Sequence, residues 1–176
     1  IPGITNKNLW QKSKKKSRRY RKVKASRAPK GDSIERRPEE IDSRSVFGHW
    51  EMDSVIGKAK GQNESLLVLT ERLTRFEVIV KPEAKTAKAI VSALSKIVGG
   101  FPENTFQTIT VDNGPEFSDC DGIQNLINTV YYCHPYSSCE RGSNENANRI
   151  IRRFFPKKQS MKAVTQKNCD AVAHYM

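Results

Sequence analysis

The sequence predicts an α/β fold, a mixed five-stranded sheet flanked by helices. Two observations carry that expectation: three extended segments follow one another through short turns, and after them helical and extended patterns alternate. The first strand is the run Trp50-Glu51-Met52-Asp53-Ser54-Val55-Ile56, ending at Gly57. Lys58 to Glu64 is polar, holds Gly61 and reads as a hairpin turn. Ser65 to Glu71 carries Leu66-Leu67-Val68-Leu69, a continuous apolar run suited to a buried central strand. After a turn at Leu73 to Arg75, Phe76 to Lys81 alternates Phe76, Val78 and Val80 with Glu77, Ile79 and Lys81. This third strand completes an antiparallel meander.

A helix follows. Thr86 is its N-cap, Ala87, Ile90, Val91, Leu94, Ile97 and Val98 recur at helical spacing, and Gly99-Gly100 stops it. Residues 107–112 form a fourth strand, a second helix lies around Asp121–Asn128, and Thr129 to Cys133 is a fifth strand rich in Val and Tyr. Pro135 to Gly142 is a loop. Ser143 then caps a last helix with Ala147, Ile150, Ile151 and Phe154 as its apolar stripe and Pro156 as its end.

Charge divides the chain. Of 176 residues, 31 are Lys or Arg and 19 are Asp or Glu, a net of +12. Residues 1–31 hold 12 basic residues and no acidic one, so the remainder, with 19 of each sign, is neutral. Three parts are expected: a basic arm over 1–31, a mixed-charge connector over 32–45 with a short helix from Pro38, and a folded core over 46–176. The arm includes Lys14, Lys15, Lys16, Arg18, Arg19 and Arg21. Such a run is a solvated linker or a grip on phosphates, and one segment can be both.

No apolar run is long enough to span a membrane, and the first residues hold no apolar segment of the signal-peptide kind. Cys120, Cys133, Cys139 and Cys169 form no Cys-x-x-Cys pair. Cys133-His134 followed by Cys139 fits none of the usual zinc spacings, so reduced structural thiols of a cytosolic protein are expected.

Three carboxylates stand out. Asp53 lies inside the first strand, Asp112 ends the fourth, and Glu145 opens the last helix. If the first and fourth strands are neighbours, Asp53 and Asp112 meet across the ladder, and the last helix can pack beside them. Carboxylates brought that close repel one another unless a cation sits among them. An all-oxygen donor set selects Mg²⁺ or Mn²⁺, and such a site suits phosphodiester chemistry. Each acid taken singly also reads as a surface group, and Asp112-Asn113-Gly114 as an ordinary turn.

Joint motifs go further. Trp50-Glu51-x-Asp53, Asp112-Asn113-Gly114-x-Glu116-Phe117, and Pro135-Tyr136-Ser137 followed by Arg141-Gly142-x-Asn144-Glu145-Asn146 closely resemble the catalytic core of bacterial insertion-sequence transposases of the IS-thirty type. The resemblance covers about residues 33–176. Those enzymes are DDE transposases, so it implies a ribonuclease-H-like, retroviral-integrase fold, and Asp53, Asp112 and Glu145 fall on the catalytic, metal-binding triad. It implies metal-dependent cutting at transposon ends and joining of the freed 3′-OH to target DNA. Two Mg²⁺ or Mn²⁺ ions would serve, with Asp53 bridging both and Asp112 and Glu145 each holding one. It further implies DNA partners, both transposon ends and target, a homo-oligomer on DNA, and a bacterial cytoplasmic, nucleoid-associated location.

Several residues then become candidates for placing DNA. Glu145, Arg149 and Arg152 share one helix face, so Arg149 suits either a pair with Glu145 or a phosphate. Arg141, Arg152, Arg153, Lys157 and Lys158 extend a basic strip that is a DNA grip or a solvated face. Asn144, Asn146 and Asn148 offer hydrogen bonds to phosphate, sugar or base edges, and Tyr136 a stacking ring or a core contact.

Many relatives have Asp at His49, which reads here as a structural histidine or a proton donor, and often Trp at Cys139. Relatives also carry a helix-turn-helix domain before the arm and a core that continues past Met176, so a piece of a longer protein is expected. Two other functions stay open: a ribonuclease-H-like nuclease that hydrolyses without joining, and a DNA-binding fragment that has lost catalysis.

Overall fold

The computed structural model describes residues 31–57, 64–134, 140 and 142–176. Its elements in chain order are β1 (Asp32–Ser33), α1 (Glu39–Ser43), β2 (His49–Ile56), β3 (Ser65–Glu71), β4 (Glu77–Val80), α2 (Ala87–Val98), β5 (Thr108–Val111), α3 (Cys120–Gln124), β6 (Thr129–Tyr132), α4 (Gly142–Phe154) and α5 (Gln166–Tyr175). The sheet has six strands in the order β1-β6-β5-β2-β3-β4. β2, β3 and β4 are antiparallel, while β2, β5, β6 and β1 run parallel. The meander and the parallel half are as the sequence predicts.

The sixth strand corrects the expected five. β1 lies in the stretch read as a connector and pairs Asp32 with Tyr131 and Ser33 with Tyr132. Two residues are too few for a period of two to show. The short helix expected from Pro38 is α1, with Pro38 at its N-cap. Ser143 is not a cap: α4 begins at Gly142 and buries Ser143. The helix expected around Asp121–Asn128 is shorter, and Asp119 caps it by accepting from Gly122 N–H at 3.0 Å.

Each sheet face has its own cover. Alternation along the strands sends Trp50, Met52, Leu67, Leu69, Ile109 and Val111 into one apolar cluster with α2 and α3. α2 forms where expected, its Thr86 hydroxyl accepting from Ala89 N–H. The opposite face holds Val55, Leu66, Val68 and Ile79, covered by Ile151 of α4 and by Cys169 and Val172 of α5. Burial of each such side chain stabilises the fold by about 1.5–3 kcal/mol.

α5 packs on β4. Its cover buries Glu77 and Ile79, while Phe76 of the other set is 53% exposed. α5 is also fastened along the outer border of the sheet. Gln166 donates its Nε2 to the Ile79 carbonyl at 2.8 Å and accepts from Lys81 N–H at 3.3 Å. Among the described residues no helix is long and apolar enough to cross a membrane.

Candidate active site

Asp53 and Asp112 come together through strand register. β2 and β5 pair in parallel, His49 with Thr108 and Glu51 with Thr110. Carrying that register two residues onward sets Asp53 beside Asp112, just past the end of β5. Asp53 faces α4: its Oδ2 accepts from the Asn148 side-chain amide and its Oδ1 from Ser54 N–H at 2.8 Å. Asp112 Oδ1 accepts from Gly114 N–H at 2.8 Å, and Asn113 Nδ2 donates to the Cys133 carbonyl at 2.7 Å, so the turn is pinned to β6. A Cβ at position 114 would meet Asp112 Oδ1 and Glu116 Oε2, each at 2.8 Å, so a larger residue there would displace both carboxylates.

Glu145 sits exposed in the first turn of α4, where the helix dipole favours an anion. That turn is seated by its neighbour. Asn144 N–H donates to Glu51 Oε2 at 2.9 Å, and its side-chain Oδ1 accepts from Thr70 Oγ1 at 2.8 Å. Glu51 is fully buried and salt-bridged to the Arg72 guanidinium, which also donates to the Ile41 carbonyl at 3.0 Å. Burial lowers the Arg72 pKa, and the Glu51 carboxylate opposes that effect.

An open groove of about 1350 Å³ runs along α4, lined by Asp53, Glu145, Asn148, Arg149, Arg152 and Lys157 among others. Arg152 donates to the Ile56 carbonyl at 2.7 Å, and burial lowers its pKa while Asp53 raises it. Arg149 donates to Asn146 Oδ1 of its own helix, not to Glu145. Asn144, expected to meet DNA, lines the groove but is only 1% exposed, with its Oδ1 accepting from Thr70. Lys14, Lys15, Lys16, Arg18, Arg19, Arg21, Tyr136, Cys139 and Arg141 lie outside the described residues.

Other polar groups flank the site. Ser54 Oγ donates to Glu116 Oε1 at 2.8 Å, and Lys85 Nζ lies 3.0 Å from the same oxygen. Nothing in the sequence pairs these three, although Glu116 belongs to the Asp112 motif. His49 is buried against Thr108 Oγ1 at 2.9 Å, with its pKa lowered by burial, as a structural histidine. Among the described residues, no three His, Cys, Asp or Glu side chains gather into a ready-made metal cluster. The neighbouring Asp53 and Asp112 are still an all-oxygen pair of the kind a hard divalent cation takes, with Glu145 on the groove that Asp53 lines.

The architecture defines a class, an α/β core of the ribonuclease-H-like, integrase type. A chain in the structure of the simian T-cell lymphotropic virus intasome in complex with PP2A regulatory subunit B56 gamma matches with a TM-score of 0.56 at 17% identity, over 85% of this chain and 52% of that one. No family model matches the sequence. The probable transposase for the insertion-like sequence element IS1161 of Streptococcus salivarius is 42% identical over 149 residues, 85% of this chain and 42% of the relative. Transposase InsI for the insertion sequence element IS30A of Escherichia coli (strain K12) is 34% identical over 146 residues, 81% of this chain and 37% of the relative. Over more than four fifths of its length the chain is similar to insertion-sequence transposases, those of IS30 among them. It spans less than half the length of these curated relatives.

Proposed function

We propose that this chain is the catalytic core of a DDE transposase, which cuts DNA at transposon ends and joins the freed 3′-OH to target DNA. The observation that carries the reading is the parallel β2–β5 register, which sets Asp53 beside Asp112, with Asp53 and Glu145 lining one groove. Asp53, Asp112 and Glu145 would hold two divalent ions, Mg²⁺ or Mn²⁺. Bound there, such ions supply acidification of the attacking hydroxyl and neutralisation of charge on the leaving oxygen.

The chain's own residues do the rest. Asn148 fixes the Asp53 carboxylate in orientation. Glu145 is exposed on α4 and shares the groove with Asp53, and Asn144 keeps its turn in place. Arg149, Arg152 and Lys157 line the groove as phosphate contacts, and the basic arm, 1–31, adds Lys14, Lys15, Lys16, Arg18, Arg19, Arg21 as a sequence-independent grip. Assembly as a homo-oligomer on paired DNA ends belongs to the same proposal.

The test is nicking of supercoiled plasmid with Mg²⁺ or Mn²⁺ by the full chain, followed by a joining assay with transposon-end DNA. Metal-dependent nicking that disappears in both Asp112→Asn and Glu145→Gln, with joined products from wild type, is the expected result. Nicking without joined product would favour a plain nuclease. DNA binding with no nicking in either metal would overturn catalysis by this chain.

A further inference from the structure

The first turn of α4 rests on a row of side chains that crosses three strands. Glu51 on β2 faces Thr70 on β3, and Thr70 faces Glu77 on β4. All three are buried. Thr70 Oγ1 lies 2.8 Å from Glu77 Oε2 and 2.8 Å from Asn144 Oδ1. A hydroxyl has one proton to give, and both neighbours are acceptors while Glu77 is ionised. One more donor is therefore needed in the chain Glu77–Thr70–Asn144, and Glu77 is its titrating member. Reversing the Asn144 amide would also supply a donor, but Nδ2 is buried without a partner and the reversal leaves Oδ1 in that position. The orientation of the amide thus exchanges one orphan for another.

The surroundings of Glu77 favour the proton. Across Thr70 stands the Glu51 carboxylate, whose charge is committed to Arg72. Arg75 in the β3–β4 turn is the opposing cation, α4 presents the neutral Asn144, and α5 covers this face with Cys169 and Val172. Burial, aided by Glu51, pushes the Glu77 carboxyl up to about 8 against the pull of the Thr70 hydrogen bond and Arg75.

We propose that Glu77 is a positioning residue for Glu145: its protonated carboxyl donates to Thr70 Oγ1, Thr70 donates to Asn144 Oδ1, and the first turn of α4 is held on the sheet. This rests on the reading of Glu145 as a catalytic carboxylate. Loss of the proton turns the Thr70 hydroxyl back toward Glu77, and Asn144 keeps only its N–H bond to Glu51. The carboxylate chemistry at Asp53 and Asp112 is thereby made dependent on an acid two strands away from β2.

Two measurements on the full chain test it together. The first is Mn²⁺-dependent plasmid nicking from about pH 6 to about pH 9.5 for wild type, Glu77→Gln and Thr70→Val. The second is a ¹³C NMR titration of the Glu77 carboxyl carbon, with the Asn144 side-chain amide followed in parallel. Wild type should lose activity on the alkaline side with the midpoint of the Glu77 carbon. Glu77→Gln, whose amide donates at every pH, should lack that limb, and Thr70→Val should be slower by about tenfold throughout. A Glu77 carbon already ionised at neutral pH, or an unchanged alkaline limb in Glu77→Gln, would overturn the proposal. If wild type never nicks, the transposase reading fails and the NMR arm still decides: co-titration of Asn144 with Glu77 supports the relay, and an Asn144 signal indifferent to Glu77 ends it.

Discussion

One face of the sheet and the other are built from the same strands on different terms. Beneath α2 and α3 the strands present Trp50, Met52, Leu67 and Leu69, which need only area and fit. One residue away, toward α4, they present Glu51, Thr70 and Glu77, each buried and each bound to a specific atom. Burying those groups costs desolvation that an apolar row would not. What it returns is direction: Asn144 has one seat on Glu51 and Thr70, whereas a greasy helix face can slide. The comparison teaches that the apolar face stabilises the domain and the polar row locates Glu145.

Substitutions on both faces would break or sharpen that contrast. Trp50 is 1% exposed, stacks on Phe106 and donates its indole N–H to the Thr105 carbonyl at 2.8 Å. Trp50→Ala should therefore cost about 3–5 kcal/mol in urea unfolding, the largest loss. Arg72→Met strands the Glu51 charge in the interior and should cost about 3 kcal/mol, tempered by the Asn144 N–H that Glu51 still accepts. Glu51→Met with Arg72→Met should lose less than Arg72→Met alone; if the double variant is worse, the row stabilises as well as locates.

Thr70→Val should cost about 1–2 kcal/mol by leaving Asn144 and Glu77 without their shared partner. The pH dependence sharpens this. The folded Glu77 carboxyl titrates near 8, against 4.5 in an unconstrained chain. Below 4.5 both states hold the proton and the contribution of Glu77 is greatest; from there to about 8 only the folded state holds it, so that contribution falls as pH rises across the window. Chemical denaturation at stepped pH should show the decline in wild type and a flatter profile in Glu77→Gln.

The smallest effect belongs to the far edge. His134, on the surface, is held by Glu140 and Glu35, and its pKa is raised chiefly by the hydrogen bond to Glu140. Its contribution is present below the usual 6.5 and lost as pH rises through the raised value. His134→Ala should lower the melting temperature slightly in mild acid and leave it unchanged in alkaline buffer.

Much of this was legible in the sequence because it is written as local pattern. Leu66 to Leu69 announced a central strand, Thr86 with Gly99 framed α2, and the extended runs around Asp53 and Asp112 carried both acids to adjacent strands. The polar row was not legible. Glu51 and Glu77 alternate with apolar residues as solvent-facing groups would, and only the cover laid down by α4 and α5 buries them. α5 itself gave little signal, since two buried side chains, Cys169 and Val172, make a faint stripe. Asn144 reads as a polar group for a ligand, and its bond to Thr70, in a strand more than seventy residues earlier, leaves no local signal.

Gln166 has a consequence beyond fastening α5. β4 ends the sheet, and a terminal strand ordinarily displays free amides and carbonyls on which a stray chain can crystallise. Here the Ile79 carbonyl and the Lys81 N–H are already taken by one side-chain amide, as a short stretch of foreign backbone would take them. Copies of this domain that meet edge to edge thus find those two positions filled, and sheet-to-sheet pairing is discouraged at that border.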